Sequence, residues 1–564
     1  MKFRREPGSR RYFVDHLVGA TLAVSYLIIL VKTARAIGYA RDEGFYFRAA
    51  SSYAAWFEHL FRDPAGAMQR ATVEMYWSNN HEHPGLVKSL FGLSWNYLFK
   101  RWHLFADEGT SYRFGGMCFA AAGLWLVYVW GARARSRAVG LVAALLFAAM
   151  PRVFYHAHLD CFDVPIAVMW TLCAYCYWRS LENLGLGWAV TTGVMFGLAL
   201  DTKLNAWFLP PALVLHALLA RGGFIWRGLK RGQLRVPPAL IGMAAIGPLV
   251  CFALWPWIWF DTVDRVKGYA QFHLNHDYYN MVFLGETYWR PPMPRAYVWV
   301  MTAATVPAVT LLLFFIGAAS RLRAMLALVS SRMAARVKDY DPRGTDLLWA
   351  IGLSVQYAPW VFSTNIPIFG GTKHWFTAYP FLCLFAGVGF EWIAERVRSL
   401  IEGGVLARLP ARAIDVALGA AVLAAPLAET AHAHPWGLSN YTPLVGGASG
   451  GATLGLNRQF WGFTTGAVTD WLNQHVSPGQ AVYIHDTAGE SWDMLHRDGR
   501  LLPNIGAAWS IPGSAFALYQ HEEHMETIEY QIWAAYGTSS PVHIGAYDGV
   551  PIIYVYAKPG QMIR

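Results

Sequence analysis

The chain has 564 residues, 55% of them hydrophobic and only 15% charged, with a mean hydropathy of +0.27. A soluble protein of this length carries charge on about a quarter of its residues, so water is excluded as the main solvent and a membrane is indicated. The formal charge of +10 does not point to nucleic acid, because the cationic residues cluster between apolar runs, as a topology signal does.

Apolar runs of bilayer-crossing length fall at 12–36, 112–130, 138–155, 163–180, 187–201, 205–220, 237–259, 296–319, 346–363, 376–395 and 412–429. The first is long enough to span, and no small-residue cleavage site follows it, so it reads as a retained helix. The fifth and sixth are short and joined by Asp201-Thr202-Lys203, the pattern of a broken or re-entrant pair. Basic clusters precede run one (Lys2, Arg4, Arg5, Arg10, Arg11) and follow run two (Arg133, Arg135, Arg137). Others follow run six (Arg221, Arg227, Lys230, Arg231, Arg235), run eight (Arg321, Arg323, Arg332, Arg336, Lys338) and run ten (Arg396, Arg398, Arg408). With eleven crossings all of them lie on one side, which predicts a cytoplasmic N-terminus and an outer C-terminus. The 26 Trp suit the headgroup level. Six cysteines lie in or beside apolar runs, and Cys173 and Cys176 lack the second pair of a zinc site, so they read as helix-packing residues.

The expected fold is mainly α: a polytopic membrane helix bundle of about eleven helices over residues 1–429. Interfacial helices are expected in a long first outer loop (37–111), and a second outer loop spans 260–295. Residues 430–564 form a small α/β outer-face domain, acidic in balance, with five Lys/Arg (Arg458, Arg497, Arg500, Lys558, Arg564) against ten Asp/Glu. Within it Gly466–His475 reads as helix and Ala481–His485 as strand. Asp548-Gly549 between apolar runs predicts a hairpin.

Ionisable residues gather at the outer ends of the runs, where polar groups are costly enough to suggest function. Asp42-Glu43-Gly44 follows run one; Asp42 also reads as the cap of an interfacial helix. The same loop carries His81-Glu82-His83-Pro84-Gly85 and Lys88, and His81, Glu82 and His83 are candidates for a divalent metal, the one cofactor the residues suggest. His156-Ala157-His158-Leu159-Asp160-Cys161-Phe162-Asp163 lies between runs three and four, with Asp163 again a candidate cap. Lys203 stands between runs five and six. His273, His276, Asp277, Tyr278, Tyr279, Asn280 and Arg290 mark the second loop, and Lys373 and His374 open run ten. Singly each reads as an interfacial anchor. Together they place acids, histidines and cations from six connections on one face, the mixture that phosphate recognition and activation of an acceptor require.

Asp42-Glu43-Gly44, the His83-Pro84 step, HEHPGLVKSLFG, HAHLDCFDVPIAVMW, TKLNAWFLPP, FGGTKHWFTAYPF and NYTPLVGGASGG with FWG resemble the dolichyl-phosphate-mannose–protein mannosyltransferase family. They also resemble its bacterial relatives, including the lipid A aminoarabinose transferases, within the C-type glycosyltransferase superfamily. The resemblance implies a polyprenyl-phosphate sugar donor, an acceptor hydroxyl on a protein, lipid or glycan, and inverting transfer at the outer face of a bacterial inner membrane. It implies Asp42 as general base with Glu43 beside it, and His83-Pro84 as the family's His-Pro step; in the mechanism this suggests, the cations Lys88, Lys203, Lys373 and Arg290 bind the donor phosphate. His83, His158, Asp163, His276 and His374 would orient substrate. Gly85 stands where a second proline is common in the family, and no MIR-type sugar-binding domain interrupts the helices. Two other classes compete: a transporter or flippase of lipid-linked glycans, and a non-catalytic cell-envelope assembly protein. The nearly charge-free helix centres and the lack of an internal repeat disfavour the first. The density of outer-face ionisable residues disfavours the second.

Overall fold

Within hydrocarbon a segment must satisfy its own backbone N–H and C=O groups, and a helix does so along its length. The computed structural model describes residues 9–561 apart from 183–184, 233–235, 280, 330–340, 342 and 402–409. Lys2, Arg4, Arg5, Arg235, Asn280, Arg332, Arg336, Lys338, Arg408 and Arg564 therefore lie outside the described residues, as do the side chains of Arg10, Arg11 and Arg227. Six described helices are long and apolar enough to cross a membrane: Tyr12–Ala36, Glu108–Ala134, Leu204–Gly222, Ala308–Leu326, Gly371–Ile401 and Ala411–Ala433. Arg137–Ala148, Leu186–Leu200 and Pro238–Leu254 are shorter apolar helices. This is the pattern of a multi-pass membrane protein.

Of the remaining expected runs, 163–180 and 346–363 are the continuous helices Asp163–Ser180 and Thr345–Phe362, while others are interrupted. Run 296–319 divides into Tyr297–Thr305 and Ala308–Val329 around Pro307, where a missing N–H and the ring's bulk break the ladder. Run 138–155 divides before Pro151. The break expected at 201–203 is present, between Leu186–Leu200 and a 3₁₀ turn at Leu204–Phe208. Backbones pack closely where side chains are absent: a Cβ on Gly197 would meet the Gly247 carbonyl at 2.6 Å, the close small-residue contact that favours helix association in lipid.

The two ends of the bundle differ chemically. At one end Asp15 pairs with Arg137 at 2.5 Å, Asp346 with Arg321 at 3.0 Å and with Arg135, and Glu182 with Arg179 at 3.0 Å. The other end holds Asp42, Asp163, Lys203 and Lys373 and is covered by the C-terminal domain.

That domain carries a five-stranded sheet. β1 (Met281–Phe283) and β2 (Glu286–Tyr288) form a separate hairpin in the second outer loop. β3 (Ala481–Tyr483), β4 (Gly506–Ala508), β5 (Phe516–Gln520), β6 (His543–Tyr547) and β7 (Val550–Ala557) take the order β4-β3-β5-β7-β6. β3 is parallel to both its neighbours, and β7 is antiparallel to both of its own. Asp548 and Gly549 both have positive φ, +47° and +76°, the type I′ geometry that the Asp-Gly step predicts. The predicted helix in 466–475 is confined to Thr469–His475 after a 3₁₀ turn. All six cysteines are free.

The domain grips the segment that carries Asp42. The Arg41 N–H donates to the Trp461 carbonyl at 2.7 Å, Ser491 Oγ to the Ala40 carbonyl at 2.9 Å, and Arg500 to the Ile37 carbonyl at 2.8 Å. Asp498 accepts from the Tyr39 hydroxyl and from the Glu108 N–H at 2.8 Å. The first outer loop is helical, as expected, over Arg41–Arg62, Arg70–Trp77 and Leu86–Ser94. The Arg265–Glu74 ion pair at 2.6 Å and the edge-on contact of Trp56 with Trp259 at 5.9 Å join this loop to the second.

Candidate functional site

Helix Arg41–Arg62 starts directly under the C-terminal domain, and its first turn holds Arg41, Asp42 and Glu43. The N-cap is Ala40, not Asp42, and it is the Glu43 carboxylate that accepts the Ala40 N–H, at 2.9 Å. Asp42 is thereby left as the partly exposed member of the turn, 27% accessible, with Arg41 Nε at 3.4 Å and Lys373 Nζ at 4.0 Å. Glu43 is fully buried. It takes a two-pronged bond from Arg113, both contacts at 2.7 Å, and the Asp160 N–H at 3.0 Å. With its oxygens so occupied, Glu43 holds the turn rather than facing the cleft.

Asp163 does not cap its helix either; Phe162 occupies that position. Its carboxylate receives Lys203 Nζ at 2.6 Å and lies 3.4 Å from His156 Nδ1. Lys373 is stacked over Phe369 at 4.5 Å and Trp461 at 4.3 Å. Asp42, Asp163 and Lys203, distant in the chain, thus meet Lys373 at one end of the bundle, and each acts electrostatically on it.

A cavity of about 160 Å³ opens beside this cluster, lined by Arg41, Tyr278, Tyr279, Tyr297, Phe369, Gly370, Asn457, Phe460, Trp461, Asp486, Glu522 and His524. Arg41 bridges the membrane and C-terminal parts, donating to Asp486 at 2.5 Å. Glu522 accepts from Gln459 at 2.5 Å and lies 3.0 Å from His524. Burial, then the charge of Asp486, pushes the Glu522 carboxyl well above its usual range. Burial likewise lowers His524 to about 4. The wall therefore offers aromatic faces, a carboxylic acid able to donate, and a neutral imidazole.

Other expected site residues have different work. His83 is buried among Tyr46, Phe162 and His273, and burial, followed by the charges of His273, Lys88, Lys203 and Lys373, drives its pKa well down. It faces the cationic cluster as a neutral ring. His374 Nε2 lies 2.7 Å from the Phe369 carbonyl and His276 stacks on the Phe369 ring at 4.9 Å, so both shape the cavity wall. His158 is not available to substrate: its nitrogens engage Thr33 Oγ1 at 2.8 Å and the Phe154 carbonyl at 2.7 Å, and burial lowers it to about 3. Arg290 is exposed beyond β2 and makes no ion pair with the cluster among the described residues.

Lys88 also differs from expectation. It is fully buried, its protons directed to the Asn80 carbonyl, to Asn80 Oδ1 at 3.3 Å and to the His83 carbonyl at 2.9 Å, and burial lowers it to about 7. With three protein acceptors it is a strut for the His-Pro turn. Lys88→Met is expected to lower the melting temperature in detergent while leaving donor affinity unchanged, because each orphaned buried carbonyl costs about 1–3 kcal/mol. A loss of donor affinity without loss of stability would contradict this role.

His81, Glu82 and His83 do not converge as a metal set. His81 lies 2.9 Å from the Ser78 carbonyl, Glu82 accepts from Asn80 at 2.6 Å, and His83 points into the aromatic cluster. Among the described residues His156, Cys161 and Asp163 have ligand atoms within 4.8 Å of one another. Lys203 already supplies the positive charge at Asp163, and Arg152 and Lys373 add theirs at His156. A divalent ion would have to displace an ammonium among like charges, so this set does not fit one.

Several site residues went unread in the sequence: Arg41, Arg113, Arg152, Asp486, Glu522 and His524. The FWG step at Phe460–Gly462, which supplies two cavity-wall rings, was the available signal for the C-terminal contribution.

The family described as dolichyl-phosphate-mannose-protein mannosyltransferase matches residues 99–257. That stretch includes Arg113, Arg152, Asp163 and Lys203 and stops short of Asp42, Lys373 and the C-terminal domain. Similar solved structures include ArnT from Cupriavidus metallidurans bound to undecaprenyl phosphate, at 17% identity and TM-score 0.44, covering 95% of this chain and 97% of that one. The oligosaccharyltransferase of Archaeoglobus fulgidus in its apo form is similar at 12% identity and TM-score 0.47, over 94% of this chain and 71% of that one. No curated protein sequence matches the chain. The resemblance to membrane glycosyltransferases read from the motifs is thus matched independently over 99–257.

Proposed function

We propose that the chain is a glycosyltransferase of a bacterial inner membrane, moving a sugar from a polyprenyl-phosphate donor to an acceptor hydroxyl at the periplasmic face. In this reading about eleven spans put the N-terminus inside and the C-terminal domain in the periplasm. The observation that carries it is Asp42: a carboxylate at the head of a buried helix, between two cations and next to an aromatic cavity.

Asp42 takes the proton of the acceptor hydroxyl as general base. The acceptor oxygen forms its bond to the anomeric carbon from the face opposite the phosphate, inverting the centre. The bond from that carbon to the phosphate oxygen breaks, and its electron pair leaves with the polyprenyl phosphate. Lys373 and Lys203 stabilise the developing negative charge. Asp163 holds Lys203, and His83, His276 and His374 shape the walls. The cavity's rings and hydrogen-bonding groups suit a carbohydrate acceptor, which presents apolar faces and hydroxyl edges.

Incubating purified protein with labelled polyprenyl-phosphate sugars and a panel of glycan, lipid and peptide acceptors tests the reading, because an enzyme of this class releases polyprenyl phosphate. Absence of release across the panel would sink it. Once an acceptor is found, Asp486→Asn is expected to raise its KM about tenfold or more, the weight of one lost charge-assisted contact. Donor affinity should stay constant; the reverse pattern would move the acceptor elsewhere.

A further inference from the structure

Arg152 lies at the outer end of the third apolar run, in helix Pro151–His156, and is 2% exposed. None of its three guanidinium nitrogens makes a well-formed hydrogen bond. Its centre sits 5.3 Å from the Tyr441 ring and 5.1 Å from the Phe460 ring. The nearby Tyr441 hydroxyl is neutral and already donates to the Asn457 carbonyl at 2.6 Å. No carboxylate pairs with it among the described residues. A buried charge without a counter-ion is costly, so an anionic occupant is the natural complement.

The backbone beside Arg152 is built to receive one. Gly370 and Gly371 both adopt positive φ, +67° and +69°, as the N-cap and first residue of the helix Gly371–Ile401. A Cβ on Gly371 would lie 2.9 Å from Arg152 Nη1, and one on Gly370 would lie 2.6 Å from Trp461 Nε1. Only glycine lets those two donors approach the turn. Trp461 Nε1 and Thr372 Oγ1 are themselves buried without hydrogen-bond partners. Lys373 follows on the same turn, stacked on Trp461. The first N–H groups of a helix have no partner within it and carry its positive end. Guanidinium, indole N–H, hydroxyl, ammonium and backbone N–H groups form a set dominated by donors, which suits a tetrahedral oxyanion. Gly370, Phe460 and Trp461 also line the cavity next to Asp42, so the turn adjoins the proposed chemistry.

We propose that Gly370-Gly371-Thr372-Lys373, with Arg152 and Trp461 on either side, is the cradle for the phosphate of the lipid donor. The proposal rests on the glycosyltransferase reading and names the residues that receive its leaving group.

The test is binding of undecaprenyl phosphate to the full-length protein in detergent, followed by melting temperature and titration, with undecaprenol and inorganic phosphate as the other probes. Undecaprenyl phosphate should raise the melting temperature and undecaprenol should not. Arg152→Gln should weaken undecaprenyl phosphate binding at least tenfold, with Arg152→Lys intermediate. If Arg152→Gln does not yield folded protein, Thr372→Val, which keeps the shape and removes a hydroxyl, and Trp461→Phe, which keeps an aromatic ring and removes the indole N–H, should each weaken binding several-fold. Unchanged affinity in Arg152→Gln, or in both milder variants, overturns the proposal. An equal, Arg152-dependent stabilisation by inorganic phosphate alone overturns the lipid assignment. Arg152-dependent lipid-phosphate binding without sugar transfer would leave the cradle standing and remove the enzymatic reading; transfer with wild-type donor affinity in Arg152→Gln would do the opposite.

Discussion

Asp42→Asn is expected to lower sugar transfer by about 10²–10⁴-fold, the usual contribution of a positioned general base, while donor binding is retained. The amide matches the carboxylate in shape but cannot accept the acceptor's proton. The change should not disturb the fold. The helix's first turn is held by Glu43 and by the Arg41–Trp461 backbone bond, neither of which involves the Asp42 side chain. Arg41 keeps its bond to Asp486, and Lys373 its stacking on Phe369 and Trp461. The measurement is single-turnover release of polyprenyl phosphate, compared with binding of the donor by the same preparation. Turnover within about tenfold of wild type would remove Asp42 from the role of base.

Arg113→Met is the second large effect, and it falls on stability. The guanidinium and the Glu43 carboxylate are each 1% accessible and form a bidentate pair. Arg113 also donates to the carbonyls of Ala34 and Ile37, both at 3.3 Å, and of Gly38 at 2.7 Å. Removing one partner of such a buried pair costs about 3–5 kcal/mol, because the other charge is left uncompensated. Thermal unfolding in detergent should show a large fall, and any folded fraction should be impaired because residues 34–38 lead directly into Asp42. Glu43→Gln separates structure from chemistry. A marked loss of stability follows if Glu43 is a support. Normal stability with lost turnover would return it to the reaction itself.

These expectations depend on features that differ in how far they can be read along the chain. The apolar runs, the break at 201–203 and the Asp548-Gly549 hairpin are properties of a few consecutive residues, and they could be read in order; the breaks at Pro151 and Pro307 divide runs that were expected to be continuous. So could the separation of basic clusters from mixed acids and histidines, since charge acts on topology segment by segment. Asp42, Asp163, Lys203 and Lys373 were legible as part of one group because each borders an apolar run at the same end.

The roles of their neighbours were not legible. Lys88 and Lys373 are both lysines at loop–helix junctions, yet one spends its protons on Asn80 and His83 while the other lies beside Asp42. Nothing within a few residues of either distinguishes them. Arg152 and Arg113 look alike in sequence, each an arginine beside an apolar run. Only packing gives Arg113 a carboxylate and leaves Arg152 with aromatic rings and unfilled donors. Asp486 and Glu522 reach the site from the terminal domain, more than four hundred residues beyond Asp42, because that domain folds down onto the first outer loop.

Sequence alone therefore determined the apolar solvent, the helical class and the gathering of acids, histidines and lysines between the apolar runs. Tertiary structure alone decided which ionisable groups are supports, which are free, and where a cavity opens between the two domains. The physical reason is that hydropathy and helix breaking are summed over neighbours in the chain. Burial and hydrogen-bond satisfaction are set by neighbours in space, often hundreds of residues away.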